Sequence, residues 1–462
     1  MDRRARTGIL FLGVLAASIS TATFAPSITA LPAAHAASGL GAGGEYHPLA
    51  PTRIFDTRAS GNAVATVATS PAGGTADVGI LGLGGIPADA SGVLAVAVSI
   101  TVVNPTRDGY LQVYPSGTAA GLSSVLNFAA GQTVPNLSVL TVGANGKVTV
   151  NLVTTANGTA DVLVDVFGWF STSNYATAGA RLIPVAPGRI YDSRDQAQNA
   201  ARTTAPLGTA ALVTLPIRGA DAQNPAVADI VPNSPNVVGV VLNVTGIDDN
   251  VGSTNTFVSV LPEDPVGQVT TSNLNLSPGQ VKANLVIVPV TNADGAVRLY
   301  NNAGQTHVAV DVVGYMLANQ DPAMRLGRVV PLTAPFRALD TRDVNFGNVQ
   351  LGPTQAESWS FSQFVGSVTL GGAPVGNQIA LLGNLTGTGL TRASATTPVA
   401  TYFTLYPDDV IKPFSSNINV TEGANVPNMA VVKLGADNGI KAYNNGGYIH
   451  YVFDVSAVVL GQ

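Results

Sequence analysis

The chain has 462 residues, with no Cys, 50 Gly, 29 Pro and only 11% charged residues, and its formal net charge is −5. An ordinary soluble domain carries roughly 25% charged residues, so this surface is neutral and polar. The composition excludes a disulfide scaffold, a thiolate metal site, a Cys nucleophile and a basic nucleic-acid surface, and four His leave little scope for His-rich metal chemistry.

In chain order the first element is a targeting segment. Arg3, Arg4 and Arg6 form a basic start, an apolar run follows from Ile9 to Ala17, and Ala34-His35-Ala36 fits an A-x-A cleavage pattern. This predicts a secretory signal over residues 1–36 and a flexible segment over 37–45. Ser, Thr and Pro dilute the run before about 20 apolar residues, which argues against an anchor. Maturation after Ala36 removes three Arg and one Asp and leaves 19 basic against 26 acidic residues. The expected location is extracellular or at the cell surface, with no integral membrane segment in the mature chain and no attraction to anionic lipid.

Three copies of one unit follow, as the length predicts at roughly 100–200 residues per domain. Their openings are Pro51-Thr52-Arg53-Ile54-Phe55-Asp56-Thr57-Arg58, Pro187-Gly188-Arg189-Ile190-Tyr191-Asp192-Ser193-Arg194 and Pro335-Phe336-Arg337-Ala338-Leu339-Asp340-Thr341-Arg342. All fit P-x-R-x-x-D-[ST]-R. Each copy then carries an Asn (Asn127, Asn275, Asn419), a second Asn nine residues later (Asn136, Asn284, Asn428) and a closing Asp-Val (Asp165, Asp311, Asp454). The first two add Gly168-Trp169 and Gly314-Tyr315, and the third departs with Ala457-Val458. A period near 140 residues is too long for a solenoid repeat or propeller blade and suits a free-standing domain. The predicted units are 46–170, 183–317 and 329–462. Short polar linkers, Ser171 to Arg181 and Ala318 to Arg328, predict closely spaced beads.

Within each unit the runs read as strands. Val93 to Val98, Val237 to Val244 and Ile379 to Leu385 are short and β-branched. Asn145-Gly146, Asp294-Gly295 and Asn438-Gly439 punctuate them as hairpin signals, because these residues tolerate positive φ. The expected fold is all-β: three tandem antiparallel β-sandwiches, jelly-roll-like, after the signal peptide.

The charged residues of the opening motif are the candidate site. On a regular strand Asp56 and Arg58 share a face and Arg53 takes the other. One reading is a structural clasp, in which Arg58 or Arg53 meets Asp165 and fixes the closing register. The other is a ligand groove, with Arg on a carboxylate or sugar and Asp accepting hydroxyls. The same alternatives hold for Arg189, Asp192, Arg194 and Asp311, and for Arg337, Asp340, Arg342 and Asp454. The Asn pairs read as loop-organising residues. A Ca²⁺ site from Asp56, Asn127, Asn136 and Asp165 offers only oxygens but lacks a metal-loop spacing. Tyr110, Tyr114, Trp169, Tyr175 and Tyr402 are sugar-stacking candidates, with Phe128, Phe167 and Trp169 better suited to the core.

Enzyme motifs are absent: there is no G-x-S-x-G, H-E-x-x-H or P-loop. His47, His307 and His450 read as unrelated positions, which argues against a repeated triad. Asp249, Glu263 and Asp264 remain as carboxylates for an unrecognised hydrolase. No catalytic residue, metal or cofactor is expected.

The P-x-R-x-x-D-[ST]-R opening, the later L-N and P-N elements and the D-V-x-G-[WY] close resemble a module of secreted actinobacterial proteins. It occurs in tandem or beside cell-wall hydrolase domains. The resemblance spans about residues 46–170, 183–317 and 329–460. It implies secretion, a β-rich fold and an accessory or cell-envelope role, and no catalytic residue. The sequence therefore points to a secreted, non-enzymatic structural or adhesive protein. The alternative is a carbohydrate- or peptidoglycan-binding accessory. Expected partners are a cell-wall polysaccharide, a surface protein or further copies of the chain, and no nucleic acid.

Overall fold

The computed structural model describes residues 43–462 except 61–63, 66–73, 174, 196–203, 224, 249–253, 363–368, 371–372, 375–376 and 394–398. The predicted signal segment, 1–36, and residues 37–42 lie outside the described residues.

The fold is all-β and antiparallel. Eight principal strands in each repeat form two four-stranded sheets. In the first repeat these strands are Glu45–Asp56, Gly74–Gly79, Val93–Val103, Gly109–Pro115, Leu126–Phe128, Val134–Leu140, Lys147–Thr154 and Thr159–Ser171. One sheet has the order first, eighth, third, sixth, and the other second, seventh, fourth, fifth; the remaining two repeats have the same orders. Turns fall at the predicted dipeptides, and Asn145 and Gly146 both take positive φ, 58° and 71°. They are not the expected hairpins: the strands on either side of Asn145-Gly146, Asp294-Gly295 and Asn438-Gly439 are the sixth and seventh of their repeats, which lie in different sheets, so each turn carries the chain from one sheet to the other.

The two sheets of a repeat face each other across a core made by alternate residues. Val96, Val98, Ile100 and Val102 from the third strand meet Leu111, Val113, Val148 and Val150 from the facing sheet. The second repeat has its own core of the same kind, including Val240, Leu242, Val258 and Leu299.

The third core is different, and it corrects the expectation of beads on a line. It joins the third repeat's interior to residues from the opposite face of the inner sheets: Tyr46, Ala97, Leu137 and Phe170 of the first repeat, and Val241, Leu285, Ile287 and Met316 of the second. The eight-strand units therefore do not sit in tandem. Their six sheets form a propeller-like ring, and the inner sheets, each made of the first, eighth, third and sixth strands, pack against one another. The reason is visible in the third strand, Val93–Val103, where ten successive residues are buried. A strand with one solvent face alternates, whereas a strand covered on both faces is a continuous apolar run.

The linkers are held rather than left as spacers. Glu45 accepts hydrogen bonds from Arg181 Nη2 at 3.1 Å and Arg328 Nη2 at 3.2 Å. One carboxylate thus ties the first strands of the first two repeats and the entry to the third.

The missing glycine of the third close also has a physical account. A Cβ on Gly168 would lie 2.3 Å from the Tyr46 hydroxyl, and one on Gly314 would lie 3.0 Å from Leu182 Cδ1. The register places Val329 opposite Val459, where Tyr46 opposes Phe170 and Leu182 opposes Met316. Valine is shorter than either, so the third repeat accommodates Ala457.

Candidate functional site

The first strand of each repeat runs beside the eighth, and Arg53 sits directly opposite Asp165. The register shifts between Arg53 and Phe55. This irregularity corrects the face assignment made for a regular strand. It turns Arg53 toward Asp56, while Arg58 lies not on the strand but in the helical turn Thr57–Ser60. The same shift occurs between Arg189 and Tyr191 and between Arg337 and Leu339.

The result is one chain of four charges, built three times. Arg53 Nε donates to Asp165 Oδ1 at 2.8 Å and Nη2 to Oδ2 at 3.0 Å, a bidentate fork. Its remaining nitrogen, Nη1, donates to Asp56 Oδ2 at 3.3 Å. Arg58 then forks onto Asp56, Nε at 3.0 Å and Nη2 at 2.7 Å, and its backbone N–H donates at 3.0 Å. In the second repeat Arg189 grips Asp311 at 2.8 and 3.1 Å and Asp192 at 2.9 Å, with Arg194 on Asp192 at 2.7 Å. In the third, Arg337 grips Asp454 at 2.8 and 3.1 Å and Asp340 at 3.0 Å, with Arg342 on Asp340 at 2.7 Å.

Each network holds two Arg and two Asp and is neutral overall. The hydrogen bonds from Arg58 hold the Asp56 carboxyl down at about 2. Burial pushes Asp192 and Asp340 up, but the Arg194 and Arg342 contacts outweigh it and leave both below the usual range. Burial pushes Asp454 above that range, with Arg337 opposing.

The hydroxyl of D-[ST]-R completes the clasp. Thr57 Oγ1, Ser193 Oγ and Thr341 Oγ1 accept the backbone N–H of Val162, Val308 and Tyr451 at 2.9, 3.0 and 3.0 Å. The same hydroxyls meet Asp161 at 2.9 Å, His307 at 2.9 Å and His450 at 3.1 Å. His307 and His450 are thus equivalent positions, four residues before the closing Asp, with Asp161 taking that place in the first repeat. This corrects the reading of the histidines as unrelated, and counting back from the closing Asp would have found it. Ser193 is fully buried and Thr341 nearly so. These hydroxyls tie the eighth strand and do not face a cleft.

The Asn residues lie in strands rather than turns. Asn127 bonds Ser124 Oγ at 3.2 Å, Asn275 bonds Ser272 Oγ at 3.1 Å, and Asn419 bonds Ser416 Oγ at 3.3 Å. Asn136, Asn284 and Asn428 each donate to the loop before the fifth strand, at Val125 O, Asn273 O and Asn417 O, at 2.6, 2.5 and 2.7 Å.

Two of them also reach into a neighbouring repeat. Asn136 Nδ2 donates to Asn384 Oδ1 at 2.9 Å, and its Oδ1 accepts Met429 N at 3.0 Å. Asn384 Nδ2 returns a bond to Ser124 O at 2.7 Å. In the same way Asn428 Nδ2 donates to Asn243 Oδ1 at 3.0 Å, its Oδ1 accepts Leu285 N at 2.9 Å, and Asn243 donates to Ser416 O. The first repeat thus docks on the third and the third on the second, a head-to-tail contact of the kind that closes rings.

The last junction, second repeat onto first, lacks its Asn. Ser99 stands where Asn243 and Asn384 stand, opposite the closing Asp in register. Among the described residues its buried hydroxyl has no hydrogen-bond partner.

The clasps share this seam. Arg337 Nη2 reaches Leu122 O of the first repeat at 3.5 Å, and the Arg189 guanidinium lies 5.8 Å from the Phe414 ring of the third. The structure does not bring Asn127 or Asn136 into a shared shell with Asp56 and Asp165. Among the described residues no group of three His, Cys, Asp or Glu is placed to hold a metal.

Trp169 is buried, stacked on His47 at 4.2 Å and edge-on to Tyr175 at 4.9 Å. Phe128 and Phe167 are also buried. Asp264 is exposed and pairs with Arg298 at 2.8 Å, and Asp249 lies outside the described residues. Among those residues no helix is long and apolar enough to cross a membrane.

No family model and no curated protein matches this chain. Among solved structures it is similar to the CBM22-1–CBM22-2 tandem domain of Paenibacillus barcinonensis Xyn10C at 12% identity, covering 56% of this chain and 87% of that one, with a TM-score of 0.17. It is also similar to a triple jelly-roll turret protein of an archaeal virus at 10% identity, covering 90% of this chain and 91% of that one, again with a TM-score of 0.17. Likenesses at that TM-score carry no weight for fold or function.

Proposed function

We propose that the chain is a secreted, non-enzymatic scaffold of three jelly-roll sandwiches closed into a ring, acting in structural or adhesive contacts at the bacterial surface. The strand orders fit the jelly roll, eight strands wound as two Greek keys. Secretion rests on the N-terminal signal pattern and on the resemblance of the repeats to the secreted module.

The observation that carries the reading is that the repeated charged motif is spent internally. All twelve Arg and Asp side chains of the three clasps are paired with each other. A ligand there would have to displace bidentate ion pairs. The exposed apolar side chains are not part of the ion pairs. Leu122, Val266 and Ile411 are 88%, 103% and 79% exposed, and all three lie in the loop between the fourth and fifth strands of their repeats. Three contacts on one rigid ring gain strength together when a partner's spacing matches.

The test is co-sedimentation with purified cell walls, paired with sedimentation velocity of the protein alone. The wild type is expected to bind saturably or to self-associate with rising concentration. The triple variant Leu122→Ser, Val266→Ser, Ile411→Ser is expected to lose that contact and keep its unfolding midpoint. A wild type that neither binds nor associates would refute the reading.

A further inference from the structure

The sixth strands carry a second feature, independent of the clasps. Alternate residues of a strand share a face, so Val134 lies on the face of Asn136, Lys282 on that of Asn284, and Val426 on that of Asn428. Those are the faces turned toward neighbouring repeats. The three equivalent positions line one cavity of about 520 Å³, walled by segments of all three repeats. Two of them are valines and the third is a lysine.

Lys282 is an unusual cation for such a place. Its Nζ donates to Asn275 O at 3.3 Å, and among the described residues no carboxylate pairs with it. Burial lowers the amine to about 8, which leaves it mostly protonated at neutral pH.

Two amides add donors. Gln132 and Gln280, at equivalent positions, spend Oε1 on the turn N–H groups of Ala129 and Ser277, at 3.0 and 2.9 Å. Among the described residues neither Nε2 is used in a hydrogen bond, and both side chains line the cavity. Asp108 lies at its edge with Oδ1 held by Ala130 N at 2.8 Å. The remaining wall mixes the apolar Phe128, Pro135 and Pro427 with the amides Asn127, Asn419 and Asn425.

We infer that this cavity between the three repeats binds a small hydroxylated carboxylate, a sugar acid in size and chemistry, with the carboxylate on Lys282 Nζ and its hydroxyls on Gln132 and Gln280. A cation and two amide donors select an acceptor-rich anion. Phe128, Pro135 and Pro427 suit the ring carbons, and the amides of the wall suit further hydroxyls. The inference stands apart from the adhesive reading, because the cavity involves neither the clasps nor the exposed loops.

The probe is D-glucuronate, titrated calorimetrically into the purified chain at low salt, with D-glucose as the neutral match and inorganic phosphate as the bare anion. Saturable binding of glucuronate in the micromolar to millimolar range is expected, with glucose at least about tenfold weaker. Lys282→Val, which installs the residue of the other two repeats, is expected to weaken glucuronate at least about tenfold, and Lys282→Arg to retain it within a few-fold. Lys282→Met serves as the loss variant if the valine form does not fold. No saturable heat with glucuronate, equal affinity for phosphate, or unchanged affinity in the loss variant would each overturn the assignment.

Discussion

The ring has two complete Asn junctions and one incomplete one, which sets up a paired perturbation. Asn243→Ser copies the incomplete junction onto a complete one. It removes the bond to Ser416 O and the acceptor for Asn428 Nδ2 at 3.0 Å. A buried hydrogen bond contributes about 1 kcal/mol net, and abandoning a partner adds to the cost, so the expected loss is about 2–3 kcal/mol. Asn428 Nδ2 keeps Asn417 O at 2.7 Å, which caps the damage. Ser99→Asn does the reverse. The new amide is placed to donate to Ser272 O and accept from Asn284, and it replaces a buried hydroxyl that has no partner among the described residues. Two bonds of about 1 kcal/mol each, less about 1 kcal/mol of side-chain entropy, leave a gain of about 1 kcal/mol.

Urea unfolding reads both changes, as shifts in midpoint at constant slope. The two Trp residues provide separate probes: Trp169 sits in the core of the first repeat and Trp359 in that of the third. Because the ring closes through all three inner sheets, both probes should move together in both variants. If Ser99→Asn destabilises by more than about 1 kcal/mol while Asn243→Ser costs nothing, the junctions are not equivalent and the argument from the ring fails.

Within the clasps, burial should separate two arginines that carry the same charge. Arg189→Met strands two buried carboxylates and is expected to cost about 3–5 kcal/mol, whereas Arg194→Met, whose side chain is 45% exposed, should cost less than about 1 kcal/mol by the same urea titration. Acid should weaken the clasp of the first repeat through Asp56. The folded Asp56 carboxyl is held at about 2, below its unfolded value of about 4, so its contribution is fully present above about pH 4 and is lost as pH falls toward 2. Asp454 is shifted the other way and gives no such loss. The stability difference between wild type and Asp56→Asn should therefore shrink from pH 5 to pH 2, and a difference that is flat across that range would refute the assignment.

Much of this was legible along the chain, for reasons of periodicity. The Asp-to-Asp spacing, the β-branched runs and the Asn-Gly turns depend on local backbone chemistry, and they located the repeats and the turns but not which strands pair across them. The pairing of the opening Arg with the closing Asp was readable too, because both ends of every unit keep those charges. The face of Arg53 was not, since a shifted register breaks the two-residue alternation and no residue type announces it. The histidines were missed for want of counting back from the closing Asp, where Asp161, His307 and His450 align.

What the sequence by itself determined is local and repetitive: strands, turns, three equivalent units and the charges that close each one. What only the tertiary structure decided is how the units meet. Asn136 and Asn428 read as loop formers, and Asn243 and Asn384 as polar residues in strand-like runs, until three inner sheets face one another, and then their amides become the bonds between units. A run such as Val93–Val103 is apolar on both faces whether its second face meets another sheet of the same domain or a neighbouring domain. Burial sets the composition of such a strand, but the identity of the covering surface depends on contacts between residues far apart in the chain, such as Asn136 and Asn384, which no local pattern encodes.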